Sequence, residues 1–534
     1  MPFRRPTTVP GGPAESGPGL ARSTTVAMAL FMAVLVAACG NPAPAATPTS
    51  TAIATPTPTP IPLPVALSAD SSILDGNSLI ARIEGTLDSA GHVYVEYWSD
   101  GVGRFRSRTV SSDGTRYTVH VVRLRANTEY SYQVFGDNLA GVSSAGPAGS
   151  FVTGELPEAL KQASFDVVGG TPTHDLTFLE FRQEGFLGFA AFDGEGHIVW
   201  YFPGPGEEQP YVMAQKPDGN IVYIAGFEGG TTAKALVEVD PLGEEVDRLV
   251  DVCSPFGPIH HEVQILPDGR VMYLSREVLR PGYGDPPKPQ EGDTIGIWDQ
   301  TTGENRIVWN IFDFISPADR TVPDSNRTLP GNPVWGGCER DRTVQDWSHG
   351  NSAVMADDGS VLVSLGHLDQ VVLIAPDFQS VRWRLGGPGS DFIFPDPRDK
   401  FYHQHTATPL ANGNILVFDN GNFRPGAEGG PYSRALELSL DMESMTASKV
   451  WEFPEQPGIY AQCCSSAQRL ENGNTLVLFG NSPGDLCCRF YVIVEVDPDA
   501  VVVWEVVHRS PGKRNQHRIY PGDSIWGEVR ISDK

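Results

Sequence analysis

The stretch FYHQHTATPLANGNILVFDN, residues 401–420, holds the pattern that decides the fold: a polar segment, a turn phrase and an apolar strand. In the turn phrase an Asp-Gly or Asn-Gly pair separates two strand-like runs, which is a strong hairpin signal. The phrase occurs five times, with turn glycines at Gly219, Gly269, Gly359, Gly413 and Gly473. Eight residues before these glycines stand Tyr211, His261, Asn351, His405 and Ser465. If the hairpins surround an axis, we expect these five polar side chains to converge on one place.

A second repeat consists of apolar strands that often contain tryptophan. These strand tails are centred on Trp200, Leu249, Trp309, Trp383, Trp451 and Trp504. Six tails alternate with five turn phrases, so the first tail needs strands from the other end of the chain to complete its sheet. Closure of this kind is typical of a β-propeller, because it removes exposed edge strands. We therefore predict an all-β fold with a six-bladed β-propeller over residues 163–534, with tryptophans packed between blades.

The spacing of the turn phrases is unequal. The interval from Gly269 to Gly359 is the longest, and it contains the loop 316–345, which is rich in Pro, Asp, Arg and Gly. Long loops on a compact scaffold usually cover or shape a site, and we expect the same of this loop.

The region before the repeats, residues 65–155, has short alternating runs separated by turn residues. Leu124 stands shortly before Tyr130 and Tyr132, an arrangement that resembles the tyrosine corner of fibronectin type III sandwiches. We predict a small β-sandwich here. Such modules are more often spacers or docking domains than catalysts.

The N-terminus has the features of an export signal. Residues 1–38 carry arginines and then a short apolar stretch that ends in small residues immediately before Cys39. This resembles a bacterial lipoprotein processing site, so we predict a signal peptide over 1–38 and lipidation of Cys39. Residues 39–64 form a Pro/Thr-rich tract, which predicts an extended tether. The protein is therefore expected outside the cytoplasm, anchored to the bacterial cell membrane by lipid.

Charge and cysteine usage narrow the class of protein. The formal net charge of −26 over 534 residues argues against nucleic acid as a main partner. Disulfides persist outside the cytoplasm, and none of the cysteines after Cys39 has the CxxC spacing of a zinc site. We therefore predict structural bridges, with open connectivity, among Cys253, Cys338, Cys463, Cys464, Cys487 and Cys488.

Histidines are concentrated at the predicted strand starts. The segments IHHEVQIL, DWSHGNSAVM and YHQHTATPL contain His260, His261, His349, His403 and His405. Side chains alternate along a strand, so His349 is expected on the face of Asn351, and His403 on the face of His405. In a propeller these strands line the central channel. Imidazoles gathered there suit either metal binding or a histidine nucleophile with neighbouring acids and bases.

Four segments together resemble the bacterial arylsulfate sulfotransferases, from about residue 163 to the C-terminus. They are HHE before a turn phrase, DWSHGNS, a serine-bearing strand of the form SLxxLDQV, and QHT before LANGNILVFDNG. The resemblance implies a six-bladed propeller that moves a sulfuryl group from a phenolic sulfate ester to a phenol. It implies a histidine nucleophile that becomes a sulfohistidine, and no nucleotide cofactor or metal.

The resemblance also implies roles for individual residues. The nucleophile is His405, supported by His261, His349 and Asn351. Either histidine is expected to give or take a proton, and the amide of Asn351 to donate to sulfuryl oxygens. The substrate site is expected to include His260, His403, Tyr211 and Ser465, together with two cations discussed next.

One position departs from the family pattern. The serine-bearing strand normally supplies an arginine that binds sulfate, whereas Ser364-Leu365 is followed here by Gly366 and His367. His367 or Arg424 is expected to compensate. The departure leaves two alternatives open: a catalytically inactive binding or adhesion protein, and a metal-dependent hydrolase or lyase with Glu262 and Asp346 as oxygen ligands. The sequence identifies neither the physiological substrates nor the oligomeric state.

Overall fold

A computed structural model describes most of the chain from residue 63 onward. The described residues are 63–138, 142–183, 185–206, 208–226, 235–250, 259–279, 289–317, 335–336, 339–340, 345–426, 430–454, 458–480, 490–509 and 518–531. They are predominantly β-structure, which confirms the all-β prediction. The predicted signal peptide, Cys39 and nearly all of the tether lie outside them. No helix within these ranges is both long and apolar enough to cross a membrane.

The first eight strands form two antiparallel sheets. Their bounds are β1 (Ala66–Ile73), β2 (Ala81–Leu87), β3 (Gly91–Ser99), β4 (Gly103–Arg106), β5 (Val110–Ser112), β6 (Arg116–Val121), β7 (Glu129–Asp137) and β8 (Ser143–Val152). Strands β1, β2 and β6 make one sheet, and β4, β3, β7 and β8 make the other, with β5 paired to β3. A shared apolar core contains residues of both sheets. A single-turn helix, α1 (Glu158–Lys161), follows.

A hydrogen bond fixes the corner before β7. The backbone N–H of Arg125 donates to the hydroxyl of Tyr130 at 2.9 Å. The ring of Tyr130 is fully buried in the core of these two sheets, so its hydroxyl needs this partner.

Between residues 164 and 522 the described residues form six successive antiparallel sheets of four or five strands, numbered 1 to 6 in chain order. Sheets 1 to 3 contain β10 (Leu176–Gln183), β11 (Phe186–Asp193), β12 (Ile198–Pro203); β13 (Gln209–Gln215), β14 (Ile221–Gly226), β15 (Ala235–Val239), β16 (Glu245–Val250); and β17 (His260–Ile265), β18 (Val271–Leu279), β19 (Gln290–Asp299), β20 (Glu304–Asn310). The short strands β21 (Trp335–Gly336) and β22 (Glu339–Arg340) pair with each other, and β23 (Gln345–Asp346) pairs in parallel with β19.

Sheets 4 to 6 continue the same pattern. They contain β24 (Gly350–Met355), β25 (Val361–Leu365), β26 (Gln370–Ile374), β27 (Val381–Leu385); β28 (His405–Pro409), β29 (Ile415–Asp419), β30 (Arg434–Asp441), β31 (Thr446–Phe453); and β32 (Ser466–Arg469), β33 (Thr475–Phe479), β34 (Phe490–Val496), β35 (Val502–Arg509). Short 3-10 helices lie at Ile311–Asp313, Gly366–Leu368 and Pro397–Asp399. Aromatic and β-branched residues, as in FYVIVEV of β34, favour such strands.

Strands from the two ends of this region complete sheets at the opposite end. The early strand β9 (Ser164–Gly170) pairs with β35 in sheet 6, and the late strand β36 (Ile519–Gly522) pairs with β10 in sheet 1. The sequence predicted that the first tail would need strands from the far end, and β36 supplies one. Apolar clusters lie between every two successive sheets and also between sheets 6 and 1.

The last strand of the chain, β37 (Val529–Ile531), pairs with β4. Residues 529–531 fall within the predicted propeller region, yet they add a strand to the first group of sheets. The predicted boundaries near residues 155 and 163 stay predictions.

The hairpin turns follow the expected chemistry. Turn glycines 219, 269, 359, 413 and 473 all have φ between 80° and 92°, a left-handed conformation that glycine adopts without strain. The first strands of successive sheets lie side by side, β13 with β17, β17 with β24, β24 with β28, and β28 with β32. These first strands bring the histidine-bearing segments together.

Candidate active site

The histidine segments are held in strained backbone conformations. His261, His349, His403 and Ser465 have φ values of 55°, 49°, 54° and 80°, although none is glycine. Each such residue costs on the order of 1 kcal/mol or more, and strain of this kind concentrates at functional sites. His349 and His403 lie just before β24 and β28, not within them. The expected alternation with Asn351 and His405 therefore does not apply, because the strands begin after the left-handed residues.

The imidazole rings form a continuous series. Ring centroids are 5.1 Å apart for His260 and His261, 5.2 Å for His261 and His349, and 4.3 Å for His349 and His367. The series continues from His367 to His403 at 5.2 Å and from His403 to His405 at 6.3 Å. The structure thus brings together all six histidines that the sequence analysis assigned to the site.

The ring of His405 is oriented by an amide. Its Nδ1 lies 2.7 Å from Oδ1 of Asn420, and the amide nitrogen of Asn420 donates to the carbonyl oxygens of Ala461 and Cys464 at 2.8 and 3.2 Å. The amide nitrogen of Asn420 donates to two carbonyl oxygens, so the atom that faces His405 must be Oδ1. Oδ1 therefore accepts a hydrogen bond from the N–H at Nδ1 of His405. The lone pair of His405 is therefore on Nε2, where it accepts from the backbone N–H of Cys464 at 3.3 Å.

The ring of His261 is oriented through His260. Nε2 of His260 lies 3.2 Å from the carbonyl oxygen of Ser275 and 3.3 Å from the carboxylate of Asp293, so this nitrogen carries the proton. Nδ1 of His260 then accepts from Nδ1 of His261 at 2.9 Å. Burial, followed by the charges of Arg276 and His349, lowers the pKa of His260 well below its ordinary value and keeps it neutral. In its neutral form, His261 therefore carries its lone pair on Nε2.

The ring of His349 is oriented by a carboxylate. Its Nδ1 lies 2.6 Å from Oδ2 of Asp346, a short, charge-assisted contact. Burial lowers the pKa of His349, but the charge and hydrogen bond of Asp346 outweigh burial and raise it above 6.5 overall. Burial raises the pKa of Asp346, and the charges of His349 and His367 more than reverse this. Asp346 thus stabilises the charged form of His349.

His367 stacks on His349 with an angle of 20° between the rings. Its Nδ1 lies 2.9 Å from the main-chain oxygen of Asp346 and 3.7 Å from the carboxylate Oδ1 of the same residue. Asp346 therefore contacts both rings of the stacked pair. Asp346 reaches them because β23, at the end of the long loop, pairs with β19. Most of the loop that was expected to cover the site lies outside the described residues.

Asn351 is buried beside Gly366. Its amide nitrogen donates to the carbonyl oxygen of Gln404 at 2.7 Å, whereas its Oδ1 has no hydrogen-bond partner among the described residues. A Cβ on Gly366 would lie 2.9 Å from that amide nitrogen, so glycine leaves the space that the amide occupies. The second amide hydrogen of Asn351 remains available for the expected donation.

The other predicted residues divide into two groups. Tyr211 lies next to His261, with ring centroids 6.1 Å apart, and Ser465 follows the Cys464 amide that meets His405. Arg424 instead pairs with Asp419 at 2.7 Å and lies over the ring of Tyr432, so it is committed outside the histidine series. Of the two cations expected to compensate for the missing arginine, the structure brings only His367 into contact with the site.

Several polar residues that orient the site were not identified from the sequence. Asn420 follows β29 in the phrase DNG, and Asp293 accepts from the backbone N–H of Gly350 at 2.6 Å. Arg518 binds Glu262 at 2.6 Å and the main-chain oxygen of Asn351 at 3.2 Å. The first two lie across a hairpin or a sheet from the histidines, so hairpin register is the signal that points to them.

The predicted bridges are tested only at the vicinal pair. The Sγ atoms of Cys463 and Cys464 lie 3.2 Å apart, which is longer than a disulfide bond. Cys253, Cys338, Cys487 and Cys488 lie outside the described residues, so the remaining bridges stay predictions.

Comparison with known proteins identifies a family. The model of the family described as arylsulfotransferase (ASST) matches residues 166–509, more than half of the chain. Over 176 residues the chain is 30% identical to the arylsulfate sulfotransferase AssT of Escherichia coli O6:H1. That match covers 26% of this chain and 28% of the relative, so it spans little more than a quarter of the relative's length.

Solved structures show weaker similarity. A protein from Lactobacillus plantarum is 10% identical, with a TM-score of 0.34 over 62% of this chain and 81% of that one. A catalytically inactive virginiamycin B lyase from Staphylococcus aureus, in a structure with quinupristin, is 8% identical. Its TM-score is 0.34 over 65% of this chain and 99% of that one. TM-scores this low support no functional comparison.

Proposed function

Because this chain belongs to the arylsulfotransferase family, we propose that it moves a sulfuryl group from a phenolic sulfate ester to a phenol through His405. The observation that carries the proposal is the hydrogen bond between His405 and Asn420. It places the proton on Nδ1 and the lone pair on Nε2, which is the form of imidazole that attacks an electrophile.

The first half of the reaction forms a covalent intermediate. Nε2 of His405 bonds to sulfur, the bond between sulfur and the phenolic oxygen breaks, and the oxygen leaves with the electron pair. A phenol has a pKa near 10, so the departing oxygen is stabilised by a proton at neutral pH. His349, whose charged form Asp346 stabilises, is the proposed proton donor. The product is a sulfohistidine at position 405.

The second half regenerates the enzyme. The hydroxyl of the acceptor phenol loses its proton to a base, its oxygen bonds to sulfur, and the bond between sulfur and Nε2 breaks. His261 in its neutral form carries a lone pair on Nε2, so it or the deprotonated His349 is the proposed acceptor of that proton. Once Nε2 of His405 is bonded to sulfur, the backbone N–H of Cys464 no longer donates to it. This N–H and the amide of Asn351 are the proposed donors to the sulfuryl oxygens, whose charge changes during transfer.

His367 is proposed to take the place of the sulfate-binding arginine of the family. It stacks on His349 and contacts Asp346, whereas Arg424 is held by Asp419. His260, His403, Tyr211 and Ser465 are proposed to shape the substrate site around this arrangement.

We also propose the finer architecture. The six sheets close into a six-bladed propeller, supported by the two terminal strands and by the apolar cluster between sheets 6 and 1. The first sheets form a fibronectin type III-like sandwich, supported by the bond from Arg125 to Tyr130. Export and lipid anchoring through Cys39 remain part of the proposal on the basis of the sequence alone.

The proposed function is tested by release of 4-nitrophenol from 4-nitrophenyl sulfate, with and without added phenol. We expect release that depends on phenol and that disappears in the His405→Ala variant. A His197→Ala variant, changed at a half-exposed position away from the site, is the matched control. Release without phenol would indicate hydrolysis instead. No release by folded protein with several donors and acceptors would favour the binding or adhesion protein.

A further inference from the structure

We propose that Asp346, His349 and His367 form a binding site for one divalent transition-metal cation, of which Zn²⁺ is the test case. The inference does not require sulfuryl transfer, and a bound cation would replace the hydrogen bond between His349 and Asp346 that the proposed transfer uses. One ligand atom from each of the three residues can be chosen so that all lie within 4.8 Å of one another. A carboxylate oxygen and two imidazole nitrogens are the donor set that zinc and its neighbours prefer.

The three groups come from separate segments that the fold places together. Asp346 ends β23, His349 precedes β24, and His367 lies in the 3-10 helix between β25 and β26. The backbone N–H groups of Gly366 and His367 donate to the main-chain oxygens of His349 and Ser348 at 3.0 and 3.2 Å. These bonds hold the two backbone segments that carry the imidazoles next to each other without any ligand.

The distances within the cluster are compatible with metal coordination. Nδ1 of His349 lies 2.6 Å from Oδ2 of Asp346, and Nδ1 of His367 lies 3.7 Å from Oδ1. In a tetrahedral zinc site with bonds of about 2 Å, ligand atoms are separated by roughly 3.3 Å. These two distances bracket this separation but involve different carboxylate oxygens, so side-chain rotation and loss of the hydrogen bonds from both Nδ1 atoms to Asp346 are needed to form the site.

The cluster is also reachable from solvent. The side chains of Asp346 and His349 are 17% and 23% exposed, and that of His367 is 8% exposed. A fully enclosed hydrogen-bonded group would not admit a cation, whereas this one has an open side. The neighbouring guanidinium of Arg276 would oppose a cation, but Glu291 lies 3.6 Å from it and offsets its charge.

The structure distinguishes Glu262 from Asp346, the two carboxylates that the sequence offered as oxygen ligands of a metal. Glu262 pairs with Arg518 at 2.6 Å and also accepts from the backbone N–H of Ala353 at 3.2 Å. It is therefore committed to a structural ion pair. Asp346 contacts two imidazoles instead, and it is the carboxylate that we assign to the cation.

The test measures metal binding without substrate, so it is independent of whether the protein transfers sulfuryl groups. Full-length protein is stripped with a chelator and titrated with Zn²⁺ in competition with a chromophoric chelator. We expect one equivalent to bind in the micromolar range or tighter. Asp346→Asn and His367→Gln, which keep side-chain size, should each weaken binding at least about tenfold.

His197→Ala is the matched control, because His197 also lies near two carboxylates, those of Asp193 and Glu195, but far more exposed. Its affinity for Zn²⁺ should equal that of the unchanged protein. Thermal unfolding of each variant shows whether it is folded. Binding of equal affinity in both site variants, or no stoichiometric binding at all, would overturn the proposal.

A second measurement uses the unchanged protein and so avoids any effect of substitution on folding. Co²⁺ bound to nitrogen and oxygen ligands in tetrahedral geometry gives visible absorption bands, and we expect these bands to saturate at one equivalent. Intense near-ultraviolet absorption from thiolate ligands would place the metal on cysteine and contradict the assignment.

Discussion

Two histidines of the series, His405 and His349, differ in the group that fixes the ring. His405 is fixed by the neutral amide of Asn420, whereas His349 is fixed by the carboxylate of Asp346. An amide sets the tautomer without favouring a charge, while a carboxylate stabilises the imidazolium. The two partners thus suit the two proposed roles, a neutral nucleophile at His405 and a charged proton donor at His349. The partner of the ring, more than the ring itself, decides the proposed role.

The largest expected difference between His405 and His349 is in the activity of their alanine variants. Loss of the nucleophile in His405→Ala should lower transfer by at least about 10⁴-fold. Loss of the acid in His349→Ala should lower it by about 10²- to 10³-fold, because transfer through His405 continues without proton donation. Steady-state rates with phenyl sulfate as donor, whose poor leaving group needs the acid, and a substituted phenol as acceptor give both values. Equal losses would break the proposed division of roles.

The next variant replaces the charged partner of His349 by a neutral amide. Asp346→Asn leaves a partner for Nδ1 of His349 but no longer stabilises the imidazolium, so a poor leaving group should suffer most. We expect transfer from phenyl sulfate to fall by about 100-fold, and transfer from 4-nitrophenyl sulfate by only a few-fold. The ratio of the two rates measures the effect. A uniform loss for both donors would mean that Asp346 only maintains structure.

The reverse exchange replaces the neutral amide partner of His405 by a carboxylate. Asn420→Asp places a carboxylate beside Nδ1 of His405 and should raise the pKa of that imidazole by about one to two units. More of the ring is then protonated on Nε2 at neutral pH, and transfer should fall by roughly tenfold. Because a raised pKa is overcome by alkali, activity should recover as pH rises. A loss that is independent of pH would contradict this explanation.

A third pairing, remote from the series, should leave transfer almost unchanged. Glu495 accepts from Thr173 and Asn474 and lies 3.3 Å from His174, which links sheet 6 to the start of sheet 1. Burial raises the pKa of Glu495, but these hydrogen bonds lower it to about 2 overall. The stabilisation is therefore complete above pH 4.5 and is lost as pH falls toward 2.

Glu495→Gln should thus lower the free energy of unfolding by about 2 kcal/mol at pH 7, and by less at pH 3. Transfer by the folded variant should change by less than about twofold. Urea unfolding at the two pH values, with rates measured in parallel, checks both statements. A stability difference that grows at acid pH would contradict the assigned direction of the pKa shift.

The sequence predicted what depends on local pattern. The Asp-Gly and Asn-Gly turns specify hairpins, so the strand starts at Tyr211, His261 and His405 could be placed by counting back from each glycine. The need for a strand from the far end also followed from the mismatch between six tails and five turns. The all-β class and the family could be recognised from these residues.

What the sequence did not predict depends on contacts across strands. His405 pairs with Phe418 in the β28–β29 hairpin, and Asn420 lies two residues further along. That contact requires the register and the chain path after β29, which a turn phrase does not encode. Asp346 stands close to His349 in the sequence, but its contact with His367 requires the fold to bring the 3-10 helix Gly366–Leu368 beside β23. The left-handed backbone of His349 and His403 likewise comes from tertiary contacts that override strand alternation.

The proposed transfer reaction depends most on which residue is the nucleophile. Protein incubated with 4-nitrophenyl sulfate in the absence of phenol, then digested with trypsin, should carry one additional SO₃ group on the peptide that follows Lys400. Fragmentation distinguishes His403 from His405 within this peptide. The proposed reaction predicts that the SO₃ group is on His405 and that addition of phenol removes it. Phenol-dependent transfer with the group on another residue, or with no modified residue, would contradict it.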